Sequence, residues 1–322
     1  MAHFDVFNGD ADGICALHQL RLARPREATL VTGAKRDIAL VERVPAQAGD
    51  SLTVLDISFD VNRKALAALL AKDVTVEYFD HHHVGDLPMS RNLVAHIDTT
   101  AQVCTSVLVD RHLAGRHRPW AIAAAWGDNL PDTARALAQQ AGIGETQLEQ
   151  LRELGESINY NAYGDCVDDL VIAPADLYAR IQPYADPFAF VAAEPVVAQL
   201  ARCRHDDLEL AQTITPMLAL QYGSVCVLPD EPWARRVRGV FANLLANEEP
   251  TRAHAVLSVN ADGNYAVSVR APLRKPQGAD EVCRAFPGGN GRVGAAGIDC
   301  LDAKRIDAFV TAFARVFGRA KV

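Results

Sequence analysis

Several apolar runs of this chain end abruptly in residues that can do chemistry. His3 to Phe7 leads into Asn8-Gly-Asp10-Ala-Asp12-Gly13, Ser51 to Leu55 into Asp56, and Glu77-Tyr-Phe into Asp80-His81-His82-His83. A further run, Ala121 to Trp126, ends in Gly127-Asp128. Carboxylates suit hard cations and imidazoles suit transition metals, so the mixture has the chemistry of metal ligation or proton transfer. Open α/β sheets bind ligands at the carboxyl ends of their strands, and acidic ends gathered there would form a single site. Asp10, Asp12, Asp56 and Asp128 together would carry four negative charges. Carboxylates that crowded cannot all stay ionised unaided, whereas two divalent cations would neutralise them. A metal pair roughly 3.5–4 Å apart is a common device for displacement at phosphorus.

The elements that would position these residues can be read from periodicity. Strands are predicted at 3–7, 28–32, 52–56, 74–79 and 94–97, with helical spacing over 13–23, 37–43, 61–71, 101–113, 118–126, 133–141 and 145–159. The alternation implies right-handed βαβ units on a parallel sheet, hence an α/β class. Pro183, Pro187 and Pro195 punctuate the next stretch, and 190–220 reads as helical connection without strand signals. The expected organisation is a catalytic, metal-binding domain over 1–188, a helical linker over 189–221 and a smaller α/β domain over 222–322. In that last part the pattern predicts a strand at 224–228 and a helix at 233–246. Strands at 254–260 and 265–270 are joined through Ala261-Asp-Gly-Asn264, a hairpin signal. A helix near 278–285, a Gly-rich loop over 288–297 and an amphipathic helix over 302–317 complete it.

Composition narrows the function classes. With 322 residues, 49% hydrophobic and 22% charged, the chain is ordinary for a globular protein of two domains. No apolar run approaches ~18 residues, and the start Met-Ala-His-Phe-Asp lacks the features of a signal peptide, so the expectation is a cytoplasmic protein with no membrane partner. The seven cysteines contain no Cys-x-x-Cys pair, which fits reduced thiols in packing roles. Net charge is −8; residues 222–322 hold 14 Lys/Arg against 10 Asp/Glu, or +4, leaving −12 for residues 1–221. The acidic part could hold cations and the mildly basic part an anion. Neither part has the basic stripe of a protein that grips long duplex nucleic acid.

The segment Phe286-Pro-Gly288-Gly289-Asn290-Gly291-Arg292-Val-Gly294-Ala-Ala-Gly297 holds five glycines within 288–297. Read as a loop, it exposes backbone amides around a guanidinium fork, a suitable cradle for phosphate. Arg270, at the end of a predicted strand, is either a second phosphate contact or an edge-strand charge.

Asp10-x-Asp12-Gly13, Asp56, Asp80-His81-His82 and Asp128, in that order, resemble the four motifs of the DHH phosphoesterases. Ser268-Val-Arg270-Ala271 and the Gly288–Gly297 segment resemble the appended DHHA1 substrate domain. The resemblance implies a parallel-sheet DHH domain with flanking helices, a helical linker and a DHHA1 domain. It implies two divalent metal ions, with manganese the expected metal. Asp10 would ligate one metal, Asp12, His81 and Asp128 the other, and Asp56 would bridge them. His82 would face the phosphate, acting with Asp56 in catalysis, while Arg270, Gly288, Gly289, Asn290, Gly291 and Arg292 would hold the distal part of the substrate. Three departures stand out: Val6 replaces a His common in small members, Asn8 replaces an Asp frequent in long exonucleases, and Asn290 and Arg292 alter the usual Gly-Gly-Gly-His loop.

The resemblance is strongest to compact members that hydrolyse short substrates. The expected activity is that of a manganese-dependent phosphodiesterase acting on short linear oligonucleotides, above all 5′-phosphorylated dinucleotides such as linear diguanylate. Single-strand exonuclease, cyclic-dinucleotide or adenosine-bisphosphate hydrolysis, and non-catalytic nucleotide binding stay open, as does a homodimer.

Overall fold

A computed structural model describes residues 1–260 and 262–318, so Ala261 of the expected hairpin turn and residues 319–322 lie outside the described residues. The chain divides into two compact units, Met1–Arg202 and Cys203–Val322.

In the first unit β1 (His3–Phe7), α1 (Ala11–Ala23), β2 (Thr29–Val31), β3 (Ser51–Leu55), α2 (Phe59–Ala71), β4 (Thr75–Asp80) and β5 (Leu93–Ile97) follow one another. The strands form an all-parallel sheet in the order β2-β1-β3-β4-β5. Side chains alternate across it. Val6, Val54 and Tyr78 join the core on the face that includes Phe59 and Leu66 of α2. Phe7, Leu55 and Phe79 point the other way, into a core with Ile14 and Leu17 of α1. Each such burial stabilises the unit by about 1.5–3 kcal/mol, which sets the register of all three strands. The chain leaves β1 toward β2 and returns to β3 on the opposite side, so the strand order reverses between β1 and β3. Ligand crevices of open α/β sheets form at such a point, beyond the carboxyl ends of the strands.

Helices α3 (Thr105–His112), α4 (Arg118–Gly127), α5 (Pro131–Ala141), α6 (Glu145–Ala162), α7 (Pro174–Ile181), α8 (Pro187–Ala193) and α9 (Pro195–Gln212) follow, the division between units falling inside α9. Trp120 to Gly127 of α4 are buried without interruption, as expected of a helix enclosed on all sides. Asp128 is the C-cap of this helix, which was expected over 118–126. Two helices differ from expectation. Over 37–43 only a 3₁₀ turn forms, Leu40–Arg43. Asn62 takes up the local backbone there, accepting from Val41 N (3.1 Å) and donating to Ile38 O (2.6 Å). The helix expected over 101–113 starts only at Thr105, where its first amides have a carboxylate partner described below.

The second unit contains β6 (Leu218–Leu220), β7 (Gly223–Leu228), α10 (Pro232–Glu248), β8 (Ala253–Val259), β9 (Tyr265–Arg270), α11 (Ala279–Arg284), β10 (Gly289–Gly291), β11 (Ala295–Leu301) and α12 (Ile306–Phe317). Its sheet has the order β10-β11-β9-β8-β7-β6, parallel only between β7 and β8. Val225, Leu257, Val269 and Ile298 form its core with Phe309 and Phe313 of α12. The three-residue β6 is too short to give a periodic signal.

The Gly-rich segment is a hairpin, not an open loop: β10 pairs with β11, Asn290 opposite Gly297. A Cβ on Gly289 would lie 1.8 Å from the Cys283 carbonyl oxygen, so glycine is needed for β10 to approach α11. Among the described residues no helix is long and apolar enough to cross a membrane, and the cysteines are free thiols.

Candidate metal centre

β1, β3 and β4 deliver Asp10, Asp12, Asp56, His81 and His82 to one end of the first sheet, and the end of α4 adds Asp128. The Asn8–Gly13 turn is tight because a Cβ on Gly13 would lie 2.2 Å from the Asn8 carbonyl oxygen. Asp10 caps α1, its Oδ1 accepting from Gly13 N at 3.0 Å. Asp12 accepts from two amides at the start of α3, Thr105 N to Oδ2 (2.7 Å) and Ser106 N to Oδ1 (2.6 Å). A helix N-terminus favours an anion there, and a carboxylate oxygen that accepts one hydrogen bond still has a lone pair for a cation. Asp56 has φ 57°, a left-handed conformation that Asp and Asn tolerate better than most residues. Thr105 Oγ1 donates to its Oδ1 at 3.2 Å.

Asp80 is completely buried and works on its neighbours. Its Oδ1 accepts from the amides of His81 (2.9 Å) and His82 (3.2 Å) and from His82 Nδ1 (2.6 Å), while Oδ2 accepts from Phe59 N (3.3 Å). His81 is fixed through Nδ1, 2.9 Å from the Val103 carbonyl, so that Nε2 faces Asp56 Oδ1 (3.4 Å) and Asp128 Oδ2 (3.9 Å). Orienting one imidazole nitrogen to free the other is the usual support of a metal-ligating histidine.

Two ligand sets result. In one, atoms of Asp12, His81 and Asp128 all lie within 4.8 Å of one another; in the other, atoms of Asp56, His81 and His82 do so. Mixed carboxylate and imidazole donors of this kind fit a divalent transition metal. Asp10 belongs to neither set. Its Oδ2 pairs instead with Lys35 Nζ at 2.5 Å, which also lies 3.3 Å from Asn159 Oδ1 and 3.6 Å from Asp128 Oδ1.

The electrostatics follow from this crowding. Burial and then the charges of Asp12, Asp10 and Asp128 push the Asp56 carboxyl well above the usual range. Burial, opposed by Lys35 and reinforced by Asp12 and Asp10, raises Asp128 to about 6. Asp10 goes the other way: burial opposes its charge, but Lys35 beside it holds its carboxyl below the ordinary value. For His82 burial disfavours the charged ring, and the Asp80 hydrogen bond overrides it, raising the pKa.

Sequence reasoning did not single out Lys35, Thr105, Ser106 or Asn159. Lys35 had a faint signal, a basic pair in Gly33-Ala-Lys35-Arg36-Asp37 just after a strand. The α3 amides and Asn159 had none, because their roles come from contacts distant in sequence. Val6 is fully buried in the core beneath α2, a packing residue with no donor to offer.

In the second unit, Arg270 lies opposite Ala295, whose carbonyl accepts from Arg292 N at 2.9 Å, so both arginines sit at one end of the sheet. Arg292 is exposed, while Arg270 Nε donates to Asn243 Oδ1 at 2.6 Å. The amides expected to cradle phosphate are largely engaged inside the hairpin, Gly289 N by Phe286 O, Gly291 N by Asn290 Oδ1 and Arg292 N by Ala295 O. Gly288 has φ 73° and open space where a Cβ would be.

No protein-family model matches the sequence, and no curated protein does either. Solved structures do. An exonuclease RecJ bound to manganese is 18% identical with a TM-score of 0.63, covering 97% of this chain and 88% of its own. RecJ from Thermus thermophilus in complex with Mn²⁺ is 16% identical with a TM-score of 0.63, over 97% of this chain and 51% of the other. The pGpG-specific phosphodiesterase PggH from Vibrio cholerae is 13% identical with a TM-score of 0.54, over 98% of each chain. Across both its units, the chain has the fold of the DHH/DHHA1 phosphoesterases that its motifs resemble.

Proposed function

We propose that this protein is a divalent-metal-dependent phosphodiesterase of short linear oligonucleotides, with 5′-phosphorylated dinucleotides such as linear diguanylate as preferred substrates. The observation that carries the reading is the meeting of Asp12, His81 and Asp128, from three separate elements, with their ligand atoms within 4.8 Å of one another at the point where the strand order reverses. Asp12, His81 and Asp128 would hold one cation, Asp56 would lie between it and a second, and Asp10 is the remaining carboxylate for that second ion. Divalent ions bound there supply charge neutralisation at phosphorus and a nucleophilic water near neutral pH. The protein's own contribution is orientation. Asp80 fixes the His82 ring through Nδ1, leaving Nε2 to donate a proton to the leaving oxygen. In the second unit, Arg270 and Arg292 at one end of the sheet, beside Gly288, Gly289, Asn290 and Gly291, are the groups suited to a substrate phosphate.

The short-substrate reading is supported by the PggH likeness over 98% of both chains and by the absence of a strong basic stripe in either half of the sequence. Purified protein should be assayed with manganese on linear di- to decanucleotides, cyclic dinucleotides and adenosine bisphosphate. Turnover that is fastest on 5′-phosphorylated dinucleotides, abolished by chelator and restored by manganese but not calcium, is the expected result. Undiminished hydrolysis after chelation would overturn the metal assignment, and faster cleavage of the decanucleotides would turn the reading toward a single-strand exonuclease.

A further inference from the structure

Lys35 is set against Asp10, and both ends of the residue are secured. Its backbone N–H donates to the Ala162 carbonyl at the end of α6 (2.9 Å), and its own carbonyl accepts from Asn8 Nδ2 (3.3 Å). The ammonium group lies 2.5 Å from Asp10 Oδ2, 3.3 Å from Asn159 Oδ1 and 3.6 Å from Asp128 Oδ1, with the Tyr163 ring centroid 5.6 Å away. An ammonium ion enclosed by two carboxylates and an amide oxygen has the oxygen-donor surroundings of a bound metal ion. Asn8 links the arrangement to the motif itself: its Oδ1 accepts from Asp10 N (3.2 Å) while its Nδ2 holds Lys35. An aspartate at position 8 could accept from Asp10 N but could not donate to the Lys35 carbonyl. Meanwhile β1 offers no imidazole near this end, because Val6 is buried in the core on the α2 face.

We propose that Lys35 is a built-in cation of the site, competing with metal for Asp10, so that the two ions bind unequally: tightly on Asp12, His81 and Asp128, weakly at Asp10. This rests on the metal-dependent reading above and adds to it that occupancy of the second position is set by displacement of Lys35. Weak second-ion binding makes assembly of the complete site depend on substrate, whose phosphate can draw in the second ion as Lys35 yields. One unit charge at contact distance shifts ion affinity by roughly tenfold or more, even in surface-like surroundings.

Manganese binding to the full chain without substrate tests this directly, by calorimetry and by the electron paramagnetic resonance signal of coupled manganese pairs. The expected wild-type result is one tight ion and a second at least tenfold weaker, with little pair signal until the metal is in large excess. Lys35→Met should tighten the second ion at least tenfold and bring out the pair signal at stoichiometric metal, whereas Lys35→Arg should keep the inequality. Asn8→Ala, which frees the Lys35 backbone without adding a charge or stripping Asp10 of its counter-charge, should shift binding in the same direction as Lys35→Met and keeps the test available if that variant fails to fold. Two equally tight ions in wild type, or a second-ion affinity unmoved by Lys35→Met and Asn8→Ala alike, would overturn the proposal while leaving the metal-dependent reading intact. No manganese bound by wild type or variants would overturn both.

Discussion

Asp56→Asn should raise the stability of the metal-free protein while removing its response to metal. Without ions, the carboxylates of Asp10, Asp12, Asp56 and Asp128 face a single lysine, and Asp10 takes its closest contact. Asp56 is buried, with the Thr105 hydroxyl at 3.2 Å and His81 Nε2 at 3.4 Å, and burial together with the charges of Asp12, Asp10 and Asp128 outweighs Lys35 and acts against its ionisation. An asparagine keeps the shape, tolerates the left-handed φ of 57° and abolishes the like-charge repulsion. Relief of that kind is worth about 0.5–2 kcal/mol, the usual yield of a single stabilising change. At about 2–4 °C per kcal/mol for a unit of this size, the metal-free melting temperature should rise by about 1–8 °C.

Wild type should gain about 2.7 kcal/mol from manganese at a hundred times its dissociation constant, or about 5–11 °C. On the proposed assignment of Asp56 to both cations, Asp56→Asn should lose most of that gain and more hydrolysis than any other single-ligand variant. Asp56→Ala separates backbone from charge. Alanine pays about 1–2 kcal/mol for the left-handed conformation, so its metal-free form should melt below Asp56→Asn. Differential scanning fluorimetry with and without manganese reads all three proteins. An Asp56→Asn protein that melts below wild type without metal and still gains the full manganese shift would refute the reasoning, since Asp56 would then be neither crowded nor a ligand.

Asp80→Asn should lower turnover about ten- to a hundredfold, the loss of one charge-assisted bond of about 1.5–3 kcal/mol to His82 Nδ1, while manganese affinity falls less; a larger loss of metal than of turnover would make Asp80 a ligand. Arg292→Ala should lose about the same factor selectively on a 5′-phosphorylated dinucleotide. Equal loss on its dephosphorylated form and on a generic phosphodiester would instead assign Arg292 to the fold. His18 is fully buried against Trp120, with Nε2 donating to the Tyr184 carbonyl at 2.7 Å, and burial lowers its pKa from 6.5 to about 4. Its neutral form therefore contributes stability that is complete above about pH 6.5 and lost as pH falls toward 4, up to about 3 kcal/mol. His18→Gln should flatten the urea midpoint across that window, and an unchanged slope would place the acid sensitivity elsewhere.

What could be read along the chain was whatever short-range pattern specifies. The alternation that sends Val6 and Phe7 to opposite faces of the sheet fixes β1, and the same signal places β3 and β4 with their acidic ends. Because β-strand period and parallel pairing then bring those ends together, Asp12, Asp56, His81 and His82 could be nominated from sequence. Asp128 was nominated as the acidic end of an apolar run with helical spacing over 118–126, and it reaches the site from the end of that helix, which is enclosed on all sides.

The readings that failed share one cause: a local pattern was compatible with two partners, and only distant contacts chose between them. Glycines at 288–297 suit an exposed cradle or a closely packed strand, and the Cys283 carbonyl 1.8 Å from a Cβ on Gly289 decides for the strand. The amides of Thr105 and Ser106 start a helix whichever acceptor they meet, and Asp12, far away in sequence, supplies it. Lys35 in a turn resembles any solvated lysine until β2 lies beside β1 and sets it against Asp10. Asn8 and Val6, read singly, are departures from the motif. Placed in the structure they are consistent with each other: Val6 adds packing and no donor, Asn8 supplies the N–H that an aspartate lacks, and the residue it holds carries the charge that Asp10 requires. Substitutions at a site are therefore best judged by the charge and hydrogen bonds of the whole group, because the Asn8 hydrogen bonds and the Lys35 charge bear on one carboxylate, Asp10.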